Sequence, residues 1–459
     1  MDGSEARFEA YVDALAGVMG HADRVAGLKA YCTGLMLPLE RKSVEPLAAA
    51  TAPSRVSAQH QSLMHFVSQS AWSDEKLLAK VRELVLPVIQ AHGPIEAWIL
   101  DDTGFRKQGR HSVGVARQYC GEIGKQDSCQ VMVSLSLANA WASLPVAFQL
   151  YLPKAWAQDE ARRKKAGVPQ ALDFATKPQM ALAQLRAATA AGLPPGVVLM
   201  DPGYGHDARL RAGAAALGLP YVAGVQGNDM MFAPDAQIAP DRPSPRRGRL
   251  DEPDVISAKD LAFGLAAADW RRVEWREGTN HSLSSRFARV RVRSAHRRQT
   301  DEVWKEEWLL VEWPQGDAEP AKYWLSTLPE DITFERLVEL AKLRWRIERD
   351  YQDLKQELGL DHFEGRSWRG FHHHVSLCIA AYGFLISERE TIPPSGPGSS
   401  ATGASARLPE GYRPRGAANP PGTPRAQLDR NYAPPPDRRP RQTTAPLSML
   451  RTETPFMTQ

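Results

Sequence analysis

The sequence VVLMDPGYG occupies residues 197–205 and joins four apolar residues to an acid and a tight turn. A short apolar run that ends in turn residues is typical of a buried strand. The sequence WILDDTG at residues 98–104 has the same design, with two adjacent acids after the apolar run. Ligands bind at the carboxyl ends of strands in open α/β sheets, so the two stretches predict acids that meet at one edge of a sheet. Each stretch taken alone has a structural alternative: residues 98–104 could be a solvated strand-to-turn junction, and Asp201 could cap the following turn.

The pattern around these two stretches predicts an α/β domain. Three further runs have the length and apolar content of strands, at residues 129–137, 145–150 and 221–225. Two runs rich in Ala, Leu and basic residues predict helices, at residues 177–191 and 208–217. Antiparallel-looking strands followed by alternating helix and strand indicate a mixed sheet flanked by helices, in the order that a ribonuclease H-like fold uses.

A β-rich insertion and a long helix are predicted further along the chain. The runs with strand character lie at residues 286–292, 307–313 and 323–328. The helix is predicted from about Phe334 to Leu358, with Thr333 as its N-cap and Gly359 as its C-terminal stop.

The overall composition excludes several classes of protein. The 459 residues include 57 Lys and Arg against 53 Asp and Glu, so the formal net charge of +4 does not by itself indicate a nucleic-acid partner. The four cysteines form no CxxC pair, which predicts reduced thiols and no structural zinc. The sequence opens with acidic residues rather than a signal peptide, and the apolar run Val375–Ile386 is too short to span a bilayer, so we expect a cytoplasmic protein.

The predicted long helix carries charged residues on one face. At about 100° per residue, Arg344, Glu348 and Lys355 fall within about 40° of one another. By periodicity alone, this is an ordinary amphipathic helix with an ion pair four residues apart. Glu348 on this face is therefore a candidate third acid beside the two acids at the strand ends.

The spacing of these three residues resembles a known signature. Arg344-x3-Glu348-x6-Lys355 matches most of the Y-x2-R-x3-E-x6-K motif of a large group of bacterial cut-and-paste insertion-sequence transposases, which carry a DDE triad of acids. The resemblance covers roughly Ile95 to Ile386 and includes the β-rich insertion before the last acid. It departs at Ala341, which stands where the signature has its tyrosine.

The resemblance implies a catalytic site made of Asp101, Asp201 and Glu348. Asp101-x-Thr103 resembles the first-acid motif of the group, which is the reason for choosing Asp101 over its neighbour Asp102. The three acids would hold two Mg²⁺ or Mn²⁺ ions, with Asp101 bridging them, for DNA cleavage and strand transfer. An all-oxygen set of ligands suits Mg²⁺, and two metals can activate the attacking oxygen and stabilise the leaving oxygen of one displacement.

The implied partner is double-stranded DNA, both transposon terminal inverted repeats and target DNA, bound by a homodimer. Arg344 and Lys355 would grip phosphates near the scissile bond. In the insertion, Trp313 and Arg291 are candidate DNA-binding residues, because aromatic rings between cations can hold a flipped base. The alternative for such tryptophans is a place in the core of a small β layer. The tryptophans concerned are Trp304, Trp308, Trp313 and Trp324.

The expected organisation has four parts before a disordered tail. A helical DNA-binding domain is expected at 1–92, and a ribonuclease H-like catalytic domain at 93–232 and 329–388. A β-rich insertion is expected at 233–328, and the disordered tail at 389–459 is rich in Pro and Arg.

Three other functions are open to the same acids. A nuclease of the same fold would cut DNA without strand transfer, and a regulator derived from a transposase would bind DNA without cutting. A glycoside hydrolase also uses paired carboxylates, but Arg344 and Lys355 beside Glu348 favour phosphate over sugar.

Overall fold

The structure is a computed structural model, and it describes residues 3–233, 255–277, 282–295 and 305–391. These residues form a mixed α/β architecture in which helices flank a long mixed sheet. The predicted α/β class is therefore confirmed. Most of the predicted tail, from residue 392 onward, lies outside the described residues.

The first part of the chain is helical, and its helices bury apolar faces. They are α1 (Gly3–Ala16), α2 (Asp23–Met36), α3 (Val44–Thr51), α4 (Val56–Ser68) and α5 (Asp74–Gln90). Ser73 caps α5 by accepting a hydrogen bond from the backbone N–H of Lys76, and Leu77 and Val81 of α5 are fully buried. Helices α1, α2, α4 and α5 all contact α14 (Trp368–Thr391), so the first helices and the last described helix share one core.

A buried histidine ties α2 to α14. His374 lies with Nδ1 2.9 Å from the Tyr31 hydroxyl and Nε2 3.0 Å from the Gly359 carbonyl oxygen. A carbonyl only accepts, so Nε2 carries the ring proton and Nδ1 accepts from the hydroxyl. Burial lowers the pKa of His374 to about 4, although the bond to Gly359 acts in the opposite direction. The ring is therefore neutral near pH 7.

The sheet of the described residues contains twelve strands. They are β1 (Ala97–Arg106), β2 (Ala116–Cys120), β3 (Lys125–Ala138), β4 (Ser143–Leu150), β5 (Val197–Met200), β6 (Tyr221–Val225), β7 (Met230–Phe232), β8 (Val255–Ser257), β9 (Arg271–Glu277), β10 (Ser282–Ser294), β11 (Glu307–Trp313) and β12 (Lys322–Ser326). Their order is β2-β3-β1-β5-β6-β12-β11-β10-β7-β8, with β4 paired to β3 and β9 paired to β10.

The centre of the sheet is parallel, and the two sides are antiparallel. Strands β1, β5 and β6 run parallel, so their carboxyl ends meet at one edge. Leu100 of β1 pairs with Met200 of β5, which places Asp101 and Asp201 one residue beyond a shared register position. Strand β12 pairs antiparallel with β6, so the strands of the β-rich segment continue the same sheet.

The remaining helices connect or flank these strands. They are α6 (Lys154–Ala157), α7 (Glu160–Ala166), α8 (Lys177–Ala190), α9 (Pro202–Gly205), α10 (Ala208–Ala216), α11 (Ala258–Gly264), α12 (Phe334–Leu343) and α13 (Trp345–Gln356). None of the helices in the described part of the chain is long and apolar enough to cross a membrane.

The prediction of one continuous helix from Phe334 to Leu358 is wrong, because the structure has two helices, α12 and α13, that are separated at Arg344. The Ile347 backbone N–H donates to the Arg344 carbonyl, three residues back rather than four, which tightens the backbone at that point. Thr333 caps α12 as predicted, since its side chain accepts from the Arg336 N–H. Gly359 has φ +66°, the left-handed conformation expected of a helix stop.

Candidate active site

Strands β1 and β5 place two acids side by side at the carboxyl edge of the sheet. The Asp201 Oδ1 atom accepts a hydrogen bond of 3.0 Å from the Tyr204 backbone N–H and so caps α9. The Asp101 Oδ1 atom accepts one of 2.8 Å from the Asp102 N–H. Asp201 therefore caps α9 and also lines the site, so the structural and the functional interpretation of this residue are compatible.

Arg344 joins Asp101 to Glu348. Its Nη1 atom donates to Asp101 Oδ2 at 2.6 Å, and its Nη2 atom donates to Glu348 Oε1 at 2.7 Å. The Asp101 side chain is 13% exposed and the Glu348 side chain is 60% exposed, so the guanidinium links a buried acid to one that solvent reaches. The break before α13 puts Arg344 at the helix start, where it reaches both acids.

The charges around Asp101 act in opposite directions on its protonation. Burial raises the pKa of Asp101 to about 7, the Arg344 guanidinium lowers it, and the carboxylates of Asp201 and Asp102 raise it. Burial lowers the pKa of Arg344, but Asp101 and Glu348 outweigh it and hold that pKa above its usual value. The Arg344 guanidinium therefore offsets part of the repulsion among the acids of the site.

Asp102 faces other partners. Its Oδ2 atom accepts hydrogen bonds of 3.0 Å from both Lys177 Nζ and the Tyr204 hydroxyl. Neighbouring strand residues point to opposite sides, so Asp101 and Asp102 cannot share a site. Asp101 pairs with Arg344 just before α13, whereas Asp102 pairs with Lys177 of α8 and Tyr204 of α9.

The three acids meet the chemical requirement for a divalent metal only in part. Carboxylate oxygens without thiolate or imidazole suit Mg²⁺ or Mn²⁺. Within the described ranges, however, no three acidic, His or Cys side chains lie close enough together to hold a metal ion. The Arg344 guanidinium occupies the space between Asp101 and Glu348. A metal ion could bind these two acids together with Asp201 only after the guanidinium has moved away.

Lys355 lies on α13 farther along β1. Its Nζ atom donates to the Gly104 carbonyl and to Glu122 Oε2, both at 2.8 Å. Helix α13 thus runs beside β1, since Arg344 just before the helix contacts Asp101 and Lys355 near its end contacts Gly104. Lys355 is paired in this structure and would have to exchange Glu122 for a phosphate.

A cavity of about 490 Å³ adjoins the acids. Its walls include Asp201, Arg344 and Glu348 together with Ala341, the residue that replaces the signature tyrosine. Three tryptophans also line the cavity: Trp275, Trp324 and Trp345. Only Trp324 is among the insertion tryptophans considered from the sequence. Val273 and Trp275 share one face of β9 and alternate with the charged residues Arg272 and Glu274, which is the signal available for Trp275. Only the fold shows that β9 reaches the cavity beside the acids.

The two DNA-binding candidates of the insertion do not line this cavity. Trp313 packs edge-on against Trp270 with ring centroids 5.3 Å apart, and its Nε1 atom donates to the Asp317 carbonyl. Arg291 lies 3.8 Å from Glu306 and 3.7 Å from Glu330. Both residues have structural partners on β10, β11 and the adjoining turns. Trp304 lies outside the described residues.

Comparisons with known proteins place the chain in a family. Residues 14–282, which include Asp101 and Asp201 but not Glu348, match the model of the DDE superfamily endonucleases. A probable transposase for insertion sequence element IS701 from Microchaete diplosiphon is 29% identical over 196 residues, or 42% of this chain. The chain spans about half of that relative, 47% of its length.

Among solved structures, a piggyBac transposase in a synaptic complex with hairpin DNA is similar to this chain, with a TM-score of 0.41 and 12% sequence identity. The alignment covers 81% of this chain and 66% of the piggyBac chain.

The family match covers more than half of the residues, and the prediction of a DDE enzyme is confirmed. The chain belongs to the DDE superfamily of endonucleases.

Proposed function

We propose that this protein is the DNA transposase of a bacterial insertion sequence, which cuts DNA at transposon ends and joins the freed ends to target DNA. The observation that carries the proposal is that Asp101 and Asp201 follow adjacent parallel strands at the carboxyl edge of the sheet, where Arg344 bridges Asp101 to Glu348. Membership of the DDE superfamily and the transposase named among the relatives support it. The place of action would be the bacterial cytoplasm, where the DNA is.

Asp101, Asp201 and Glu348 would hold two Mg²⁺ or Mn²⁺ ions. Bound there, the metals would supply an activated oxygen nucleophile and a stabilised leaving oxygen. Because Arg344 contacts two of these acids, its guanidinium is placed to exchange them for a DNA phosphate, which it can bind with two parallel hydrogen bonds. Lys355 would bind a neighbouring phosphate as a point charge.

The rest of the chain would serve recognition and assembly. We propose a ribonuclease H-like catalytic core at 93–232 and 329–388, interrupted by the β-rich segment 233–328. The helices of residues 1–92 would bind the terminal inverted repeats, since they lie apart from the acids in sequence and present several short helices. The DNA complex would contain two copies of the chain, one for each transposon end.

The experiment is metal-dependent cleavage and joining of DNA that carries the inverted repeats of the element. Asp101→Asn, Asp201→Asn and Glu348→Gln should each abolish cleavage and leave end-binding largely intact, because each removes a charge without removing volume. Glu339→Gln, on α12 and paired with Arg336, is the matched control and should cleave normally. Undiminished cleavage by any of the three variants contradicts its assignment, and cleavage without joining supports a nuclease instead.

A further inference from the structure

The segment that follows the first catalytic strand is strongly basic. Between Thr103 and Gly121 the chain carries Arg106, Lys107, Arg110 and Arg117 and no acid. A second basic segment, residues 154–165 of α6 and α7, has five Lys or Arg against two acids. The overall charge of the protein does not reveal this, because the excess is local.

The two basic segments lie against each other. The Arg162 Nη2 atom donates to the Arg110 carbonyl at 3.3 Å, and the Trp156 Nε1 atom donates to the Val115 carbonyl at 2.8 Å. The Arg162 guanidinium also lies 3.8 Å from the centre of the Trp156 ring. These contacts fix α6 and α7 beside the loop after β1.

A third segment joins them. The Val113 backbone N–H donates to the Arg366 carbonyl at 3.1 Å, so the loop between α13 and α14 adjoins the loop after β1. Five exposed cations from the three segments define what we call the basic face. They are Arg110, Lys154, Lys164, Lys165 and Arg366.

The five cations of the basic face differ from their neighbours in forming no ion pair with another described residue. Across the described ranges, none of the five takes part in an ion pair within 4.0 Å. Nearby cations have structural partners: Arg106 pairs with Asp127, and Arg163 donates to the carbonyls that follow α7. Like charges gathered without acids repel one another, and a polyanion relieves that repulsion.

The position of the basic face indicates which polyanion it meets. Strand β1 leads directly from Asp101 to Arg106, a span of about 17 Å at roughly 3.3 Å per residue. That span corresponds to about five base pairs of duplex, at about 3.4 Å per pair. A duplex with its scissile phosphate at the acids would therefore reach the start of the loop that carries Arg110 within about half a helical turn, which places the basic face beside the flanking DNA.

We propose that the basic face binds the backbone of double-stranded DNA beside the cleavage site, without reading its sequence. This inference rests on the proposed function, since it assumes that DNA lies at the acids. Lysines and arginines on exposed loops and a short helix offer point charges to phosphates, which fix the position of the duplex but do not distinguish bases. The terminal repeats would be read elsewhere.

The test is binding of a random-sequence duplex, measured by fluorescence anisotropy across a salt series with EDTA present, so that no cleavage occurs. The variant is Lys164→Gln with Lys165→Gln, whose side chains are exposed and form no hydrogen bond or ion pair with another described residue. The matched control is Arg186→Gln with Arg209→Gln, which removes two exposed cations from α8 and α10. Thermal melting should be the same for both double variants and the unchanged protein.

Each phosphate contact contributes about 0.9 to the slope of log affinity against log salt, so the Lys164/Lys165 variant should lose up to about 1.8 from that slope. The control should keep the original slope. An unchanged slope in the first variant, or an equal loss in the control, overturns the basic face while leaving the proposed function intact. A full-length protein with no affinity for any duplex DNA would overturn both.

Discussion

Replacing Arg344 tests whether its guanidinium and a metal ion compete for the same carboxylates. Arg344→Gln removes the cation between Asp101 and Glu348, whose side chains are 13% and 60% exposed. Loss of one partner from a fully buried ion pair costs about 3–5 kcal/mol, whereas an exposed pair contributes about 0–1 kcal/mol. Since only Asp101 is mostly buried, we expect the free energy of unfolding without metal to fall by about 2 kcal/mol.

The same substitution should strengthen metal binding in the absence of DNA. A metal bound to the unchanged protein must displace the guanidinium, and 2 kcal/mol corresponds to about a 30-fold change in an equilibrium constant. We therefore expect Arg344→Gln to bind Mn²⁺ about 30-fold more tightly. Isothermal titration calorimetry measures this, with Arg349→Gln as the control, because Arg349 lies on the same helix and pairs with Asp353 instead.

The result that refutes the reasoning is an equal or lower Mn²⁺ affinity in Arg344→Gln. DNA cleavage gives a second, opposite readout, because the variant also lacks the proposed phosphate contact. We expect it to cleave more slowly than the unchanged protein despite its tighter metal binding, and Arg344→Lys should not restore the rate, since a planar two-pronged contact is lost. Faster cleavage would mean that Arg344 only blocks the site.

Two further predictions concern the residues that support the site and the core. The pKa of His374 is about 4 in the folded protein and near 6.5 in the unfolded chain, so its neutral ring stabilises the fold fully above pH 6.5. This stabilisation is lost as the pH falls from about 6.5 to about 4, and about 2 kcal/mol is lost at pH 5. Nuclear magnetic resonance of the ring carbons checks this, and a titration midpoint near 6.5 would contradict it. Tyr204→Phe removes the hydrogen bond to Asp102 but keeps the backbone N–H that donates to Asp201, so chemical denaturation should show a loss of about 1 kcal/mol and cleavage should fall without vanishing. Complete loss of cleavage at unchanged stability would place the Tyr204 hydroxyl in the chemistry.

Local sequence pattern predicts most of the central strands, because each is a short apolar run that ends in turn residues. It misses β2, Ala116–Cys120, whose residues alternate between exposed and less exposed positions at the edge of the sheet and include Arg117 and Gln118. An edge strand with one solvated face has too few apolar residues for its pattern to differ from that of a loop. Pairing with β3 supplies the hydrogen bonds that make it a strand.

The sequence proposes three acids for the candidate site, but it does not specify what surrounds them. Helical spacing predicts that Arg344 and Glu348 share a face, and the structure shows the ion pair between them. The contact between Arg344 and Asp101 depends on how α13 packs against β1, which spans more than two hundred residues of sequence. The tryptophans of the cavity come together for the same reason, through pairings of β9, β10, β11 and β12 that no local pattern specifies.

The core shared by the first helices and α14 imposes an order on the synthesis of this protein. Helix α5 ends at Gln90 and α14 begins at Trp368, so a ribosome adding roughly 5–20 residues per second needs on the order of tens of seconds to pass from one to the other. During that interval α2, α4 and α5 lack the surface that covers their apolar side chains. Glu348 emerges just before α14, so a chain terminated before residue 348 would have neither a finished helical core nor the third candidate acid.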